Sequence, residues 1–174
     1  KIHRDGVDMS DEKSLQNMLD RTDIDFSDGN IYLDGEIVND QIRTPQISSM
    51  ASACSALPAV RNKLVALQRK MGEAKSIVMD GRDIGTNVLP NAEYKFFLTA
   101  SPEERAKRRY LELLDKDASV DYQTVLKDIE RRDYQDSNRV LNPLKQATDA
   151  QLVDTTGISL IESIEMILSM IRTE

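Results

Sequence analysis

Three charged residues stand close together in the segment IVMDGRDIGTNVLP, residues 77–90: Asp80, Arg82 and Asp83. An arginine fork matches the oxygens of a phosphate group, and a carboxylate beside phosphates can anchor Mg²⁺ through the waters that the ion retains. The glycines between and after these residues let a backbone turn tightly or approach a ligand closely. The segment therefore predicts a site for an anionic ligand, although an Asp after an apolar run is often no more than a turn cap.

A second set of charged residues lies in the C-terminal half of the chain, and its arginines are Arg105, Arg108, Arg109, Arg131, Arg132 and Arg139. Solvated helix faces explain most of them: Glu104 and Arg108 form an ordinary i,i+4 pair, and we assign Arg105 to such a face. Arg132 and Asp136 differ because they lie one helical turn apart, with Arg139 close behind. Guanidinium groups that face one direction can clamp a phosphate, and a carboxylate can bind sugar hydroxyls.

The composition restricts the classes of function. The 174 residues, 40% of them hydrophobic, suffice for one packed domain with a small insertion. A formal net charge of -7 argues against a general nucleic-acid binder, which needs a basic face. The single cysteine, Cys54, excludes an internal disulfide, and the single histidine, His3, is a poor candidate for catalysis. We expect a cytoplasmic monomer without a membrane segment, which meets its anionic ligand through arginines in a local pocket.

The chemistry-bearing segments need elements that position them, and the apolar pattern after residue 75 predicts an α/β core. SIVMD (76–80), YKFFLTA (94–100) and QLVDT (151–155) are compact apolar runs separated by helical stretches, which is typical of parallel strands. Before this core, the alternating pattern and Asp-Gly pairs of residues 22–38 predict a small antiparallel sheet.

Capping residues and prolines predict helix starts at Ser10, Thr44 with Pro45, Pro58, Ser101 with Pro102, residue 121 and Ser159. The helix capped by Ser10 is predicted to end near Asp20, and the helix from Pro58 is predicted to end at Gly72. After both Ser101 and Ser159, a Glu three positions later predicts a capping box.

Three long segments carry a resemblance to a known family. The run DGRDIGTNVLPNAEYKFFLTASPEERAKRRYLEL resembles the signature region of the bacterial-type cytidylate kinases. RTPQISSMASACSALPAVRNKL and IERRDYQDSNRVLNPL resemble that family's other two nucleotide-contact segments, in the same order. The resemblance covers essentially the whole chain. It implies a kinase that transfers the γ-phosphoryl group of ATP to CMP or dCMP, giving CDP or dCDP, with Mg²⁺ accompanying ATP.

The resemblance also implies a fold and a division of the chain. The expected fold is the nucleoside monophosphate kinase fold, an α/β protein with a parallel sheet flanked by helices and a small mixed insertion. Residues 1–9 would be the remnant of a truncated helix and loop, and 10–60 the insertion that closes over the monophosphate. Residues 61–174 would form the remainder of the core, with a mobile lid at about 105–140.

Individual roles follow from matching positions in those segments. Ser52 and Arg61 match positions that meet the cytosine, and Asp83 joins them. Four further positions match residues that hold the phosphates or the sugar; the phosphate-binding arginines are Arg82, Arg132 and Arg139, and the sugar-binding residue is Asp136. Arg108 or Arg109 corresponds to lid arginines that approach ATP, and Asp80 stands where related kinases place a carboxylate near the magnesium waters.

One departure from the family concerns the donor site. The resemblance implies a phosphate-binding loop of the form G-x-x-x-x-G-K-[ST], but none of the seven glycines of this sequence is followed by Lys. We therefore expect these residues to be a fragment without the first strand and that loop, and to be inactive alone. A UMP-type monophosphate kinase and a non-catalytic nucleotide-binding or interaction module remain as alternatives, and the coding sequence upstream of Lys1 would discriminate between enzyme and module.

Overall fold

The computed structural model describes residues 1–74, 76–115 and 119–171. The chain forms two compact units, Lys1–Ser76 and Ile77–Glu174. Among the described residues, no helix combines the length and the apolar character that crossing a membrane requires.

The first unit combines helices with a small sheet. Its elements are α1 (Ile2–Asp5), α2 (Glu12–Arg21), β1 (Ile24–Ser27), β2 (Asn30–Leu33), β3 (Glu36–Ile37), α3 (Pro45–Cys54) and α4 (Pro58–Ala74). Its core is built where α2 meets α4: Leu15, Met18 and Leu19 pack with Val60. The three α2 residues follow the i, i+3, i+4 spacing that places side chains on one helix face.

The sheet of the first unit confirms the hairpin prediction. The strands pair antiparallel in the order β1-β2-β3. Both turns use an Asp-Gly pair with positive φ, at 50° and 75° for Asp28 and Gly29 and at 53° and 82° for Asp34 and Gly35. Two consecutive residues with positive φ give the turn whose twist matches that of the flanking strands.

Two predicted helix boundaries in this unit are wrong by one or two residues. Asp11, and not Ser10, caps α2, since its carboxylate accepts hydrogen bonds from the backbone N of Lys13 and of Ser14. Ser10 instead donates its hydroxyl to Asp8. The helix that starts at Pro58 runs through Gly72 to Ala74.

Replacing Asp11 with Ala should lower the melting temperature, whereas Ser10→Ala should leave it unchanged within error, because only Asp11 satisfies backbone donors at the helix start. Hydrogen bonds from Ser14 hold the pKa of the Asp11 carboxyl below its usual value. The stabilising effect is therefore present above the unfolded-state pKa of about 3.9 and lost as pH falls through the lower folded-state pKa. Thermal scans of both variants, at neutral pH and at about pH 2, measure this; equal melting temperatures at neutral pH would contradict the cap assignment.

The second unit contains two parallel strands and three helices among its described residues. A π-helical turn spans Ile84–Val88 and is followed by β4 (Phe96–Thr99), α5 (Pro102–Leu114), α6 (Tyr122–Asn138), β5 (Gln151–Asp154) and α7 (Leu160–Ile171). The strands β4 and β5 pair parallel, from Phe96 opposite Gln151 to Thr99 opposite Asp154. Two of the three predicted parallel strands are therefore confirmed.

The third predicted strand, SIVMD, is wrong in this structure. The described residues 76–80 have no regular secondary structure, and the side chain of Val78 is fully exposed. An apolar run becomes a strand only where a neighbouring strand takes its backbone hydrogen bonds. The described strands β4 and β5 pair with each other, and neither pairs with residues 76–80.

The predicted capping box is complete at α7, and only one of its two hydrogen bonds is present at α5. At α7, Ser159 N donates to Glu162 Oε2 at 2.7 Å and Glu162 N donates to Ser159 Oγ at 3.2 Å, which completes the predicted box. At α5, Ser101 Oγ accepts from Glu104 N at 3.2 Å, but the Glu104 carboxylate accepts from Arg108 instead of returning to Ser101. The Ser101 amide donates to Thr156 Oγ1 and so ties the start of α5 to the residues that follow β5.

Candidate active site

Five of the predicted site residues come together in the second unit as an Arg–Asp cluster, defined as Arg82, Asp83, Arg132, Asp136 and Arg139. Arg139 Nη2 donates to Asp83 Oδ1 at 3.1 Å, and Arg82 Nε donates to Asp136 Oδ2 at 2.9 Å. Arg132 Nε lies 3.9 Å from the same Asp136 oxygen. Asp83 and Asp136 are buried, with 9% and 8% of their surface exposed. Buried carboxylates need such cationic partners.

The π-helical turn positions the first half of the cluster. The carbonyl oxygen of Asp83 accepts from the backbone N of Asn87 at 2.9 Å and of Val88 at 3.2 Å. Asn87 Nδ2 donates to Asp83 Oδ2 at 3.0 Å, so one residue orients both the backbone and the side chain of Asp83. A Cβ on Gly81 would lie 2.9 Å from Ile84 Cγ1, and glycine therefore provides room here for the turn to close.

Helix α6 and the loop after it position the second half. Arg132 and Asp136 are i,i+4 neighbours on α6, and Arg139 follows the last helical residue. The loop folds back on the helix end: Arg139 Nε donates to the carbonyl oxygen of Asn142 at 2.7 Å, and Leu144 N donates to that of Asp136 at 2.8 Å. These bonds hold the Arg139 guanidinium toward Asp83.

The charges of the cluster suit an anionic ligand. Three guanidinium groups meet two carboxylates, which leaves one excess positive charge in the cluster. The Arg82 and Arg132 side chains are 44% and 48% exposed, so their remaining donors are accessible to a ligand. The Arg139 side chain is 13% exposed and serves both Asp83 and the loop. The cluster can therefore bind a phosphate through its arginines while the aspartates orient them.

Arg105 is not on a solvated helix face, and that prediction is wrong. Its Nη1 and Nη2 donate to the two carboxylate oxygens of Asp133 on α6 at 2.9 and 2.6 Å. The spacing of Arg105 on α5 gave no indication of this partner, because it lies 28 residues further along the chain. Arg131, whose side chain is 65% exposed and pairs with Asp128 on its own helix, does lie on a solvated helix face.

The two candidate ATP-binding arginines differ in their surroundings. Arg108 donates through Nη2 to the carbonyl oxygen of Thr155 at 2.6 Å and through Nε to Glu104 at 2.9 Å. Its guanidinium therefore ties α5 to the end of β5. Arg109 makes a surface i,i+3 pair with Glu112 at 2.7 Å, which a ligand can replace at little cost.

The two base-contact candidates of the first unit lie on successive helices. Ser52 is half-buried in α3, and its carbonyl oxygen accepts from Ser55 Oγ at 2.9 Å. Arg61 is buried in α4 with 8% exposure, and its Nη1 donates to the carbonyl oxygen of Ser55 at 3.4 Å. The segment around Ser55 therefore holds both candidates in one local arrangement. Cys54 ends α3, and burial raises the pKa of its thiol, as expected for an unreactive packed cysteine.

Among the predicted site residues, Asp80 is the carboxylate that is exposed and therefore accessible to a divalent cation. The described residues contain no group of three or more His, Cys, Asp or Glu side chains that could hold a metal ion. A single exposed carboxylate fits a Mg²⁺ that keeps its waters and takes its other ligands from nucleotide phosphates. It does not fit a cation held directly by a cage of protein ligands.

Sequence reasoning missed two residues around the cluster, Asn87 and Asp133. Both act on predicted site residues, Asn87 on the Asp83 carboxylate and Asp133 on the helix that carries Arg132. For Asn87 the i,i+4 spacing from Asp83 was an available signal. Asp133 offered no local signal, because its partner lies on another helix.

Comparison of the sequence with known proteins assigns the chain to a family. The family model described as Cytidylate kinase matches residues 1–173. The chain is 46% identical over 172 residues to the cytidylate kinase of Clostridioides difficile (strain 630), covering 99% of this chain and 80% of that protein. It is 46% identical to the cytidylate kinase of Caldanaerobacter subterraneus subsp. tengcongensis, covering 99% and 77%, and 45% identical to that of Lactobacillus johnsonii, covering 98% and 76%.

The structure combines a parallel strand pair, flanked by helices, with arginines around two buried carboxylates. Together with the family match, this defines the protein as a nucleoside monophosphate kinase, a phosphotransferase of the α/β class. Within that class the chain belongs to the cytidylate kinase family. The resemblance and the fold class predicted from the sequence are thereby confirmed.

Proposed function

We propose that this protein transfers the γ-phosphoryl group of ATP to CMP or dCMP, giving CDP or dCDP. Its membership of the cytidylate kinase family and its similarity to proteins named as cytidylate kinases support the reaction. The observation that carries the assignment to particular residues is the Arg–Asp cluster, in which Arg82 bonds Asp136 and Arg139 bonds Asp83 across more than fifty positions of sequence.

Arg82, Arg132 and Arg139 are the proposed catalytic residues. Phosphoryl transfer needs little covalent chemistry from a protein, so positioning and charge neutralisation account for catalysis. The exposed guanidinium surfaces of Arg82 and Arg132 would bind the acceptor phosphate, and Arg139 would add charge from its fixed position beside Asp83. A phosphate oxygen of CMP then attacks the γ-phosphorus, the bond to the bridging oxygen breaks, and ADP leaves.

Recognition of the nucleoside is proposed for Asp83, Asp136, Ser52 and Arg61. Asp136 would bind the sugar hydroxyls, because a carboxylate accepts hydrogen bonds from hydroxyl groups and this one lies beside two phosphate-binding arginines. Asp83, Ser52 and Arg61 contact the cytosine edge, where carboxylate and guanidinium groups complement an amino donor and ring acceptors. In this proposal residues 10–60 form the monophosphate-binding insertion, 1–9 precede it, and 61–174 form the remaining core with a lid at about 105–140.

The donor nucleotide, ATP, is proposed to bind together with Mg²⁺ and to contact Arg108 or Arg109 of α5. Mg²⁺ neutralises charge on the β- and γ-phosphates when it accompanies ATP. Asp80 would bind its waters, given the exposure of that carboxylate. Arg109 is the better placed of the two arginine candidates, because its surface pair with Glu112 is readily exchanged, whereas Arg108 is engaged with Thr155.

Initial-rate assays of the whole gene product with ATP, Mg²⁺ and each of CMP, dCMP, UMP and AMP test this function. We expect kcat/KM to be highest for CMP or dCMP, and rates to vanish when Mg²⁺ is chelated. A preference for UMP or AMP would contradict the acceptor assignment, and binding of CMP without turnover would favour a nucleotide-binding module.

The setting of the reaction is also proposed. We place the protein in the cytoplasm, where ATP and pyrimidine nucleotides are available, and propose that it works as a monomer without nucleic-acid or membrane partners. Cell fractionation tests the first statement, and light scattering at assay concentration tests the second.

A further inference from the structure

Arg105 connects three elements of the second unit. Its two terminal nitrogens donate to both carboxylate oxygens of Asp133 on α6, at 2.9 and 2.6 Å. Its Nε donates to the carbonyl oxygen of Ala100, directly after β4, at 2.9 Å. The Asp133 carboxylate also raises the pKa of Arg105. One guanidinium group thus links the end of a strand, the helix α5 that carries it, and α6.

The partner of Arg105 lies inside the cluster segment of α6. Asp133 directly follows Arg132 and lies three residues before Asp136, so all three lie within five consecutive residues of the helix. A bidentate arginine–carboxylate pair fixes direction as well as distance. The pair therefore ties this part of α6 to α5 in a defined orientation, and with it the direction in which Arg132 and Asp136 project.

The helices α5 and α6 are also joined away from the cluster. The rings of Tyr110 and Tyr122 meet edge to face with centroids 5.9 Å apart, and Tyr122 lies at the first residue of α6. This aromatic contact holds the two helices together near the start of α6, and the Arg105–Asp133 pair holds them at the turn that carries the cluster. Loss of the ion pair would leave the helices joined near the start of α6 and let the part of α6 that carries the cluster shift relative to α5.

The Arg105–Asp133 pair affects the geometry of the fold more than its stability. The side chains of Arg105 and Asp133 are 35% and 33% exposed. At about one-third exposure solvent screens the two charges, so even a bidentate pair adds only modestly to the free energy of unfolding. Their geometric effect is larger, since small misplacements of groups that bind a reacting substrate cost much activity.

We propose that Arg105 is a positioning residue, which through Asp133 sets the orientation of Arg132 and Asp136 for binding the acceptor nucleotide. This inference rests on the function proposed above for Arg132 and Asp136. It assigns Arg105 no contact with substrate: the residue acts on the acceptor through α6.

The test uses Arg105→Lys, which keeps the charge and loses the fork, in the whole gene product. We expect kcat/KM for CMP to fall about tenfold or more, through a higher KM for CMP, with the KM for ATP unchanged. Asp133→Asn keeps the side-chain shape, should show the same pattern, and serves if Arg105→Lys does not fold. Arg131→Ala, which removes an exposed arginine from the neighbouring position, is the control and should keep wild-type constants.

A double-mutant cycle separates positioning from stability. With Arg132 already replaced by Ala, Arg105→Lys should lower kcat/KM by a smaller factor than in the wild-type protein, because only its effect through Asp136 remains, while the effects of the two substitutions on melting temperature add. The positioning role would be overturned if both Arg105→Lys and Asp133→Asn kept the wild-type KM for CMP. Fully additive losses of kcat/KM from Arg105→Lys and Arg132→Ala would also overturn it, and both outcomes would leave the clamp intact. Wild-type constants for Arg132→Ala alone would overturn the clamp, and this inference with it.

Discussion

Replacement of Arg139 with Ala should lower kcat/KM for CMP about a hundredfold or more, the largest loss expected from any single arginine of the cluster. Arg139 is proposed to stabilise charge at the transferred group, and it also orients the buried Asp83 carboxylate at 3.1 Å. Arg139→Lys keeps the charge but loses the planar fork whose two nitrogens donate to Asp83 and to the carbonyl oxygen of Asn142, and should recover part of the activity. Initial rates over a range of CMP concentrations measure both variants.

The matched control for this experiment is Arg131→Ala, because Arg131 pairs with Asp128 on the exposed side of α6. Arg105 cannot serve as the control, since it bonds Asp133. A second comparison uses Arg132→Ala and the double variant with Arg139→Ala. If both arginines hold the same phosphate, their losses are not additive. Equal losses for Arg131→Ala and Arg139→Ala would contradict the clamp.

The sequence predicted which residues form the cluster but not how they pair. Arg82 and Asp83 were predicted from their own segment, and Arg132, Asp136 and Arg139 from helical spacing and family resemblance. The crossed pairing, in which Arg82 bonds Asp136 and Arg139 bonds Asp83, joins positions 54 and 56 residues apart. Local patterns report which residues share a helix face, whereas partners across elements depend on tertiary packing.

The incorrect predictions have physical causes of the same kind. Arg105 and Arg131 are both helical arginines near acidic residues, and only the position of Asp133 on the facing helix distinguishes them. The run at 76–80 is apolar enough for a strand, but apolarity does not supply the neighbouring strand that a strand needs. Asp11 and Ser10 are both good capping residues, and their order at the helix start could not be resolved from type alone.

Asp83→Ala should reduce the preference for CMP over UMP more than any other substitution in the cluster. Cytosine offers an amino donor where uracil offers a carbonyl acceptor. A carboxylate accepts the bond from cytosine and repels the uracil oxygen, so it favours one base and penalises the other. Asp83 is buried and Arg139 and Asn87 hold its carboxylate in place, so its negative charge stays fixed beside the base when uracil binds. We therefore expect kcat/KM for CMP to fall by about two orders of magnitude and that for UMP to fall much less.

The ratio of the two constants is the decisive measurement, because Asp83 also holds Arg139. Removing the carboxylate disturbs that arginine, and this effect should lower turnover of CMP and UMP alike, since both carry the same phosphate. Arg139→Ala removes the same arginine charge with the carboxylate retained and still bonded to Asn87, so it should change the CMP-to-UMP ratio less than Asp83→Ala does. Asn87→Ala removes a side-chain bond to the second oxygen of Asp83 and should also change the ratio less than Asp83→Ala does. If Asp83→Ala lowers both constants equally, then Asp83 orients Arg139 and closes its turn, and recognition of the base belongs to other residues.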